Sequence, residues 1–362
     1  MNPHAHLLAI ATATLMAAGD CLGQSPAGRV HLRLDTAEAQ RVLDILESEQ
    51  RGESVADTAW QQLLATPGYA RLKAREAAMH RPFTDSTFVA FVRSDSLIAR
   101  APALRRTLTR WESADLQAAA RRALGYLPAS ATLEATVFVV IKPRTNSFVW
   151  DLDSDPAIFL YLDPDVTPAR FANTVAHELH HIGLSGVLIR ADSARAVWPE
   201  RSRLVATWIG AFGEGFAMLA AAGGSRIHPH AESPDSIRAR WDRDVTHFNA
   251  DLKTLDGFFH DILSGRLATA DTVRAVAASY YGTQGPWYTV GWKMAVTIEN
   301  RFGRSELIRC MSDPRRLLTR YNEAAVDHTR ASGDSLARWS PEIPAALHPS
   351  GSGALRSSAR GG

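Results

Sequence analysis

Cysteine is scarce in this chain of 362 residues, in which only Cys21 and Cys310 are present. A disulfide scaffold is therefore excluded, and if the segment that contains Cys21 is removed, no internal bridge is available. The fold must then rest on a hydrophobic core and on any metal that it binds, and a hydrophobic content of 46% is ample for such a core. We expect Cys310 to be a small buried side chain and not a nucleophile.

The chain also lacks an excess of charge of either sign. Its 40 basic and 38 acidic residues give a formal net charge of +2, and the two signs are interspersed throughout. A nucleic-acid-binding stripe or an acidic tail would require one sign to cluster. We therefore expect no nucleic-acid partner.

Uncharged hydrophobic runs of membrane-spanning length are absent, since Glu214 interrupts the longest apolar run. Residues 7–18 form an apolar run of the length found in signal peptides, too short for a membrane anchor. Residues 1–24 are therefore predicted to be a signal peptide, and the protein is predicted to be secreted or periplasmic with no integral membrane segment after its removal. Lipoprotein anchoring through Cys21 is the less favoured alternative, because Asp20 stands where a small residue is expected.

The most informative motif is His177-Glu178-Leu179-His180-His181, which fits H-E-x-x-H, the signature of zinc hydrolases. Residues four apart on a helix point in the same direction, so the imidazoles of His177 and His181 can bind one cation. Glu178 directly follows His177 and is placed to take a proton from a metal-bound water. The sequence therefore predicts a Zn²⁺ site with Glu178 as the general base.

The helix that carries the motif has recognisable ends in the sequence. Thr167 supplies an N-cap hydroxyl, Pro168 suits the first helical position, and Gly183 predicts a left-handed residue at the C-terminal end. One face of this helix is apolar, and the two histidines lie on roughly the opposite side. His180 points about 100° away from His181, so we do not expect it to bind the metal.

A catalytic zinc site usually has three protein ligands and keeps one position for water. Glu214, in Gly213-Glu214-Gly215, is the best candidate for the third ligand, because a carboxylate in an apolar helical run is costly to bury unless it is paired or binds metal. The flanking glycines would let this helix approach the zinc helix closely. The competing interpretation is a carboxylate that pairs with an arginine or reaches solvent. By residue type alone, the other candidates are Glu200, His228, His230 and His260.

With these residues the chain resembles the gluzincin clan, the thermolysin-like peptidases with two histidines and a downstream glutamate as ligands. It is more similar still to a bacterial family of zinc-dependent peptidases of unknown function. The resemblance implies a zincin-like fold, Zn²⁺ held by His177, His181 and Glu214, and peptide hydrolysis with Glu178 as general base. It covers most of the chain from about residue 35 to 330, and the segments that carry it are Thr174–His181, Gly213-Glu214-Gly215, Gly285–Met294, Asp313-Pro314 and Tyr321–Ala325.

Two departures limit what the resemblance carries over. The metzincin extension of the motif would need a glycine and a third histidine where this chain has Leu184 and Val187. Thermolysin has an aspartate four residues after its glutamate ligand, in support of a histidine, and here Met218 stands at that position. The residues that orient the histidine ligands must therefore come from elsewhere in the chain.

The remainder of the chain predicts an α+β fold that is predominantly helical. Residues 30–130 have helical periodicity and predict a helical N-terminal region. Residues 131–345 are predicted to be the zincin-like catalytic domain, in which short strands near 135–141 and 157–162 form a small sheet before the zinc helix, with a further short run between them. An edge strand of such a sheet can align a peptide by backbone pairing. Residues 346–362, rich in Ser, Gly and Arg, are predicted to be disordered.

A tyrosine is predicted to stabilise the oxyanion that forms when water attacks an amide. Thermolysin-like enzymes add a Tyr or His donor from a later segment. In this chain Tyr280, Tyr281 and Tyr288 cluster around Gly282 and Gly285-Pro286, a turn that could aim a phenol into the cleft. We favour Tyr288, with Tyr281 next, and the alternative is an aromatic cluster that serves packing.

The sequence therefore predicts a zinc metallopeptidase that acts on a peptide or protein substrate. A zinc hydrolase of a non-peptide amide or ester is the near alternative, because the same centre would serve. A non-catalytic module that keeps zinc for structure or partner binding belongs to another class, and Glu178 argues against it, because a structural site has no use for a general base. Nothing in the sequence specifies the oligomeric state.

Export of the protein can be tested directly. The mature protein from the native host is expected to begin between about residues 20 and 26, because small residues follow the apolar run there. N-terminal sequencing of that protein after cell fractionation measures the start. Intact Met1 on protein from the cytoplasm would contradict export and leave the catalytic prediction untouched.

Overall fold

The computed structural model describes residues 29–152 and 154–347. The predicted signal peptide 1–24, which includes Cys21, and residues 348–362 of the predicted disordered tail lie outside the described residues. The chain forms two compact units, of which the first ends at Ser185 and the second begins at Gly186. The domain boundary expected between residues 130 and 131 stays a prediction.

Helices make up about 65% of the structure and four strands form one small sheet, so the predicted α+β, predominantly helical class is confirmed. The first unit contains, in chain order, β1 (Val30–Asp35), α1 (Ala37–Gln50), α2 (Asp57–Leu64), α3 (Pro67–Ala78), α4 (Asp85–Val92), α5 (Asp95–Ile98), α6 (Ala101–Glu112), α7 (Leu116–Leu124), β2 (Leu133–Val140), β3 (Phe148–Trp150), β4 (Ala157–Tyr161) and the first part of α8 (Pro168–Arg195). After the remainder of α8, the second unit contains α9 (Glu200–Ile209), a 3-10 turn (Gly210–Phe212), α10 (Gly213–Ala222), α11 (Asp235–Thr246), α12 (Phe248–Ser264), α13 (Ala270–Ser279), α14 (Pro286–Phe302), α15 (Arg304–Met311), α16 (Pro314–Ser332) and α17 (Glu342–Ala346).

The sheet of the first unit has the strand order β1-β2-β4-β3. β1, β2 and β4 are parallel neighbours, whereas β3 pairs antiparallel with β4 and ends the sheet. Every residue of β4 and all of β2 except Glu134 are buried, as expected for parallel strands that are covered on both faces. The strands predicted near 135–141 and 157–162 are β2 and β4, and the run between them contains β3.

β1 corrects the prediction that residues 30–130 are a helical region from the start. Val30, Leu32 and Leu34 alternate with polar side chains, which is the period of a strand and not of a helix. The strand pairs with β2 from Val30 opposite Leu133 onward, so its partner lies about 100 residues later in the chain. A short strand with so distant a partner leaves only the weak alternation as a local signal. Helices α1 to α7 fill the rest of the region, as predicted.

The N-terminal end of α8 is anchored in the first unit. The Thr167 hydroxyl accepts a hydrogen bond from the backbone N–H of Arg170 at 3.1 Å, which confirms the predicted helix start. The Trp111 indole donates to the Val166 carbonyl at 3.1 Å, and its ring stacks on Phe171 with 4.4 Å between ring centroids. These contacts fix where the helix begins, and with it the direction in which each later side chain points.

The predicted end of this helix at Gly183 is wrong, because α8 continues to Arg195. A Cβ atom on Gly183 would lie 2.3 Å from Cδ1 of Leu127 and 2.9 Å from Cδ2 of Leu133. The glycine is therefore a position of close packing inside the helix and not a left-handed residue at its end.

In the second unit, α10 and α14 cross with their backbones in direct contact. A Cβ atom on Gly215 would lie 2.0 Å from the backbone nitrogen of Trp292 and 2.6 Å from the carbonyl oxygen of Tyr288. A Cβ atom on Gly291 would lie 2.7 Å from the carbonyl oxygen of Phe212. Glycine at both positions permits this approach. The sequence predicts that the glycines of this segment face the zinc helix, but the close approach at Gly215 is to α14.

The stretch Glu200–Ala222, formed by α9, the 3-10 turn and α10, is long and apolar enough to cross a membrane by length and composition. Its most apolar window is 67% buried inside the structure, as it would be in a core helix. The stretch is therefore weak evidence for a membrane span.

Cys310 lies on α15 and is fully buried. Burial raises the pKa of its thiol to about 12, so the thiolate that a nucleophile requires is not formed near neutral pH. The prediction of a small buried side chain is confirmed.

The crossing of α10 and α14 predicts the effect of adding one methyl group. Gly215→Ala is expected to destabilise the protein by about 1–3 kcal/mol or more, because the methyl would overlap backbone atoms of α14. Gly257→Ala on α12 is the matched control: a Cβ atom there meets nothing within 4 Å, and the helix should gain about 0.5–1 kcal/mol. Urea unfolding followed by circular dichroism measures both changes. A Gly215→Ala protein as stable as the wild type would contradict direct backbone contact at this crossing.

Candidate metal centre

His177 and His181 lie one turn apart on α8 and face each other. Their Nε2 atoms are 3.0 Å apart, and their ring planes are inclined at 79° with 4.7 Å between centroids. Both residues are half-buried. Two nitrogens bound tetrahedrally to one zinc ion at about 2.0–2.1 Å are roughly 3.3 Å apart. The two imidazoles are therefore spaced as ligands of one ion are.

His180, between them in sequence, is fully buried. Burial, with smaller effects of the neighbouring His181 and His177, lowers the pKa of its imidazole to about 3, and the backbone of Tyr126 acts in the opposite direction. The ring is therefore neutral and packed inside the protein.

Glu214 lies in the first turn of α10, half-buried between the buried Gly213 and Gly215. One ligand atom from each of His177, His181 and Glu214 lies within 4.8 Å of the other two. Among the described residues, no other three His, Cys, Asp or Glu side chains come together in this way. The structure thus brings together the three side chains that the sequence selects, and their role as ligands stays a prediction.

The donor set of this group fits zinc. Two imidazoles and one carboxylate form one of the known sets of catalytic zinc ligands, and three protein ligands leave the fourth tetrahedral position for water. A separation of up to 4.8 Å between ligand atoms exceeds the roughly 3.3 Å of an ideal zinc site, so small side-chain rotations would complete the convergence.

The structure changes the interpretation of the two candidate tyrosines. Pro286 is the first residue of α14, so Tyr288 lies in the first helical turn and not on the glycine-proline turn on which its prediction depends. Tyr281 lies on that turn, next to Gly282, whose φ is +46°. Burial raises the pKa of the Tyr281 phenol, and the Glu214 carboxylate raises it further, which places Tyr281 in the field of that carboxylate. This proximity is invisible in the sequence, where the two residues are far apart. The catalytic role of Tyr288 stays a prediction.

The other candidates for the third ligand make local contacts of their own. Nε2 of His228 lies 3.0 Å from Oδ1 of Asp242, and Nδ1 of His230 lies 3.2 Å from the Ser233 hydroxyl. Nε2 of His260 lies 2.7 Å from the Ser340 hydroxyl. Glu200 is exposed in the first turn of α9. None of these four belongs to the group of side chains in the described part of the chain that could hold a metal ion.

Two histidines from H-E-x-x-H and a downstream glutamate are the ligand set of a class of zinc-dependent hydrolases. The chain belongs to the family described as "Putative zinc dependent peptidase (DUF5700)", whose profile matches residues 60–329. That match includes α8, Glu214 and both tyrosines. No curated protein and no solved structure matches the chain. The family description and the His-His-Glu group agree on zinc, so the predicted cofactor is confirmed.

The metal centre predicts the zinc content of three variants. Wild-type protein is expected to hold about one zinc ion per chain, and His177→Ala and Glu214→Ala should each lose it, because each removes one of the three predicted ligands. Glu200→Ala is the control, since it removes an exposed carboxylate outside the group. Atomic absorption after dialysis measures the zinc content. Zinc retained in Glu214→Ala would assign the third ligand to a different residue.

Proposed function

We propose that the protein is a zinc metallopeptidase of gluzincin type that hydrolyses peptide bonds in a zincin-like catalytic domain. The observation that carries this proposal is the His177, His181 and Glu214 group, with Glu178 next to one of its histidines on the same helix. When bound, Zn²⁺ supplies a Lewis acid that polarises a carbonyl group and lowers the pKa of water towards about 7.

Glu178 is the general base in this proposal. It is half-buried on α8, at about 60° from His181 and about 100° from His177 around the helix. A carboxylate in this position can accept a proton from the attacking water and pass it to the leaving amine. A zinc site that served structure alone would have no use for such a base, so Glu178 supports hydrolysis over a non-catalytic role.

Tyr288 is the proposed donor to the oxyanion, and Tyr281 is its rival. Tyr288 is half-buried in the first turn of α14, the helix that packs directly on Gly215, the neighbour of Glu214. Tyr281 has support of a different kind, because its phenol feels the charge of Glu214. Burial raises the pKa of the Tyr281 phenol, so its hydroxyl stays protonated near neutral pH. A tyrosine hydroxyl at either position is a hydrogen-bond donor.

A peptide or protein is the proposed substrate, and β3 is proposed to align it. β3 is the last strand of the sheet, and within the described residues it pairs with β4 alone. An extended peptide can pair with the other edge through its backbone. Such pairing recognises the repeating amide groups of a peptide, which favours a peptide over another amide or an ester.

We also propose that the protein acts outside the cytoplasm. The apolar run at residues 7–18 and the small residues that follow it support this location.

The proposed mechanism predicts that zinc binding and hydrolysis can be separated. Glu178→Gln should keep about one zinc ion per chain while peptide hydrolysis falls at least about 10²-fold, because the base is lost and the ligands remain. His177→Ala should lose both the zinc and the activity. Turnover of a mixed peptide library, read by mass spectrometry beside a zinc assay, measures both properties. Tyr288→Phe and Tyr281→Phe in the same assay identify the oxyanion donor as the variant whose kcat falls while its zinc is retained.

Three results would contradict the proposal in different ways. Full activity in Glu178→Gln would show that Glu178 is not the general base. Zinc loss in that variant would show that Glu178 is a metal ligand. A wild-type protein that holds zinc tightly and cleaves no peptide would favour a non-catalytic zinc-binding module. Cleavage of esters alone would favour a zinc hydrolase with a non-peptide substrate.

A further inference from the structure

A small pocket opens beside α8 in the first unit, and no role described so far uses it. Its volume is about 160 Å³. It is lined by residues from α6, β4, α8 and the loops around β3 and β4, namely Trp111, Thr145, Ser147, Leu160, Tyr161, Asp163, Val166, Arg170, Phe171 and Thr174. A cavity near 150 Å³ holds a group of about the size of benzene, whereas small-molecule sites occupy about 300–1,000 Å³. The pocket is therefore the size of one side chain.

Arg170 is the cation of this pocket. Its side chain is half-buried and lines the wall formed by α8. Within residues 29–152 and 154–347, its guanidinium makes no hydrogen bond and no ion pair, although most other half-buried arginines of the first unit are paired, such as Arg71 with Asp155 and Arg105 with Glu47. A guanidinium has five N–H donors in a planar fork that matches a carboxylate.

The hydroxyl groups of the pocket are also arranged as donors. The Tyr161 hydroxyl accepts a hydrogen bond from Arg100 at 3.1 Å, and the Ser147 hydroxyl accepts one from the backbone N–H of Tyr161 at 3.4 Å. Each of these oxygens therefore keeps its own proton to donate. The Thr145 hydroxyl has no hydrogen-bond partner within the described part of the chain. The pocket thus offers donors from Arg170, Ser147, Tyr161 and Thr145 to a ligand that accepts.

One acidic group, Asp163, faces these donors. The Oδ1 atom of Asp163 accepts a hydrogen bond from the backbone N–H of Asp165 at 3.0 Å. The Asp163 carboxylate forms no ion pair among the described residues. Arg100, bound to the Tyr161 hydroxyl, adds a second positive charge at the rim. Two guanidiniums and one carboxylate leave a net positive charge, so an anionic group is favoured over a cationic one.

The pocket lies along the helix face that leads to the metal centre. Thr174 is one turn before His177 and Glu178, and Arg170 is seven residues before His177, on nearly the same face and about 10 Å away along the helix axis. An extended peptide advances about 3.3 Å per residue. The pocket is therefore two or three substrate residues from the proposed point of cleavage.

We propose that this pocket is a specificity subsite that takes an acidic side chain, aspartate or glutamate, of the peptide substrate, with Arg170 as the specificity-determining residue. This inference rests on the proposed peptidase function and adds the chemistry of one substrate residue to it. The carboxylate pairs with the Arg170 guanidinium and accepts hydrogen bonds from the Ser147, Tyr161 and Thr145 hydroxyls. Asp163 limits the preference, because it opposes the same charge.

The experiment uses pairs of peptides that are identical except at one residue, which is Glu in one peptide and Gln in the other. The varied residue is one of the three on either side of a cleaved bond. Binding is measured by calorimetry with zinc-loaded Glu178→Gln protein, and turnover with the wild type. At one position the Glu peptide should bind about tenfold more tightly than its Gln partner, as expected for a charge-assisted bond to arginine. Adding Arg170→Gln should bring the ratio close to one, and adding Asp163→Asn should raise it. Arg41→Gln, which removes an exposed arginine of α1, should leave the ratio unchanged.

The binding and turnover measurements separate the subsite from the peptidase function. Equal binding of every Glu and Gln pair, a Glu preference that survives Arg170→Gln, or no binding of any peptide would overturn the subsite. Cleavage without a Glu preference would overturn the subsite and leave the peptidase function in place. A Glu preference in binding that depends on Arg170, with no cleavage by the wild type, would support the subsite and overturn the peptidase function.

Discussion

The register of α8 is the constraint on which the candidate site depends, because two imidazoles reach one ion only if their helix neither rotates nor frays. The Nε2 atoms of His177 and His181 lie 3.0 Å apart. Rotation of a helix by one residue turns its side chains by about 100°, which would replace these rings by their neighbours. The Thr167 cap and the Trp111 stack on Phe171 fix the start of the helix. Gly183 then lets α8 run on past Leu127 and Leu133 without a break.

A second constraint acts on the carboxylate. Glu214 lies in the first turn of an almost wholly buried helix, where an unpaired charge would be costly. Its neighbour Gly215 contacts the backbone of α14 so closely that no side chain fits, and Gly291 contributes the same approach from the other helix. Backbone contact of this kind is stiffer than contact through side chains, because no rotamer change can relieve it. The position of Glu214 in the second unit is therefore set by two glycines that carry no chemistry themselves.

Catalysis and recognition, as proposed, share one helix. Arg170 and Thr174 line a pocket rich in donors, and His177 and His181, later on the same helix, belong to the proposed metal site. Because the subsite and the reacting groups lie on the same helix, the rise of about 1.5 Å per residue along α8 fixes the distance between them. A rigid element holds such a spacing more precisely than a loop would. Arg170, which has no partner within the described ranges, fits this division, since a half-buried arginine needed only for stability would be expected to have a partner.

Much of the fold and most of the candidate site could be predicted from the sequence, because both depend on local periodicity. Each correct prediction depends on a feature that is visible within a few residues. These features are the four-residue spacing of His177 and His181, the Thr167 cap, the apolar strands β2 and β4 and the carboxylate in an apolar helix.

The predictions that were wrong concern residues whose conformation depends on partners far away in the chain. β1 is a strand because it pairs with β2, Gly183 continues a helix because two leucines pack against it, and Gly215 faces α14. The nearness of Tyr281 to Glu214 and the pocket around Arg170 have no sequence signature at all, because they arise where distant segments meet. The sequence by itself thus determined which side chains have the chemistry and the spacing that a metal site requires. Only the tertiary structure decided which glycines permit close packing and that the half-buried Arg170 has no partner among the described residues, because those properties belong to contacts and not to residues.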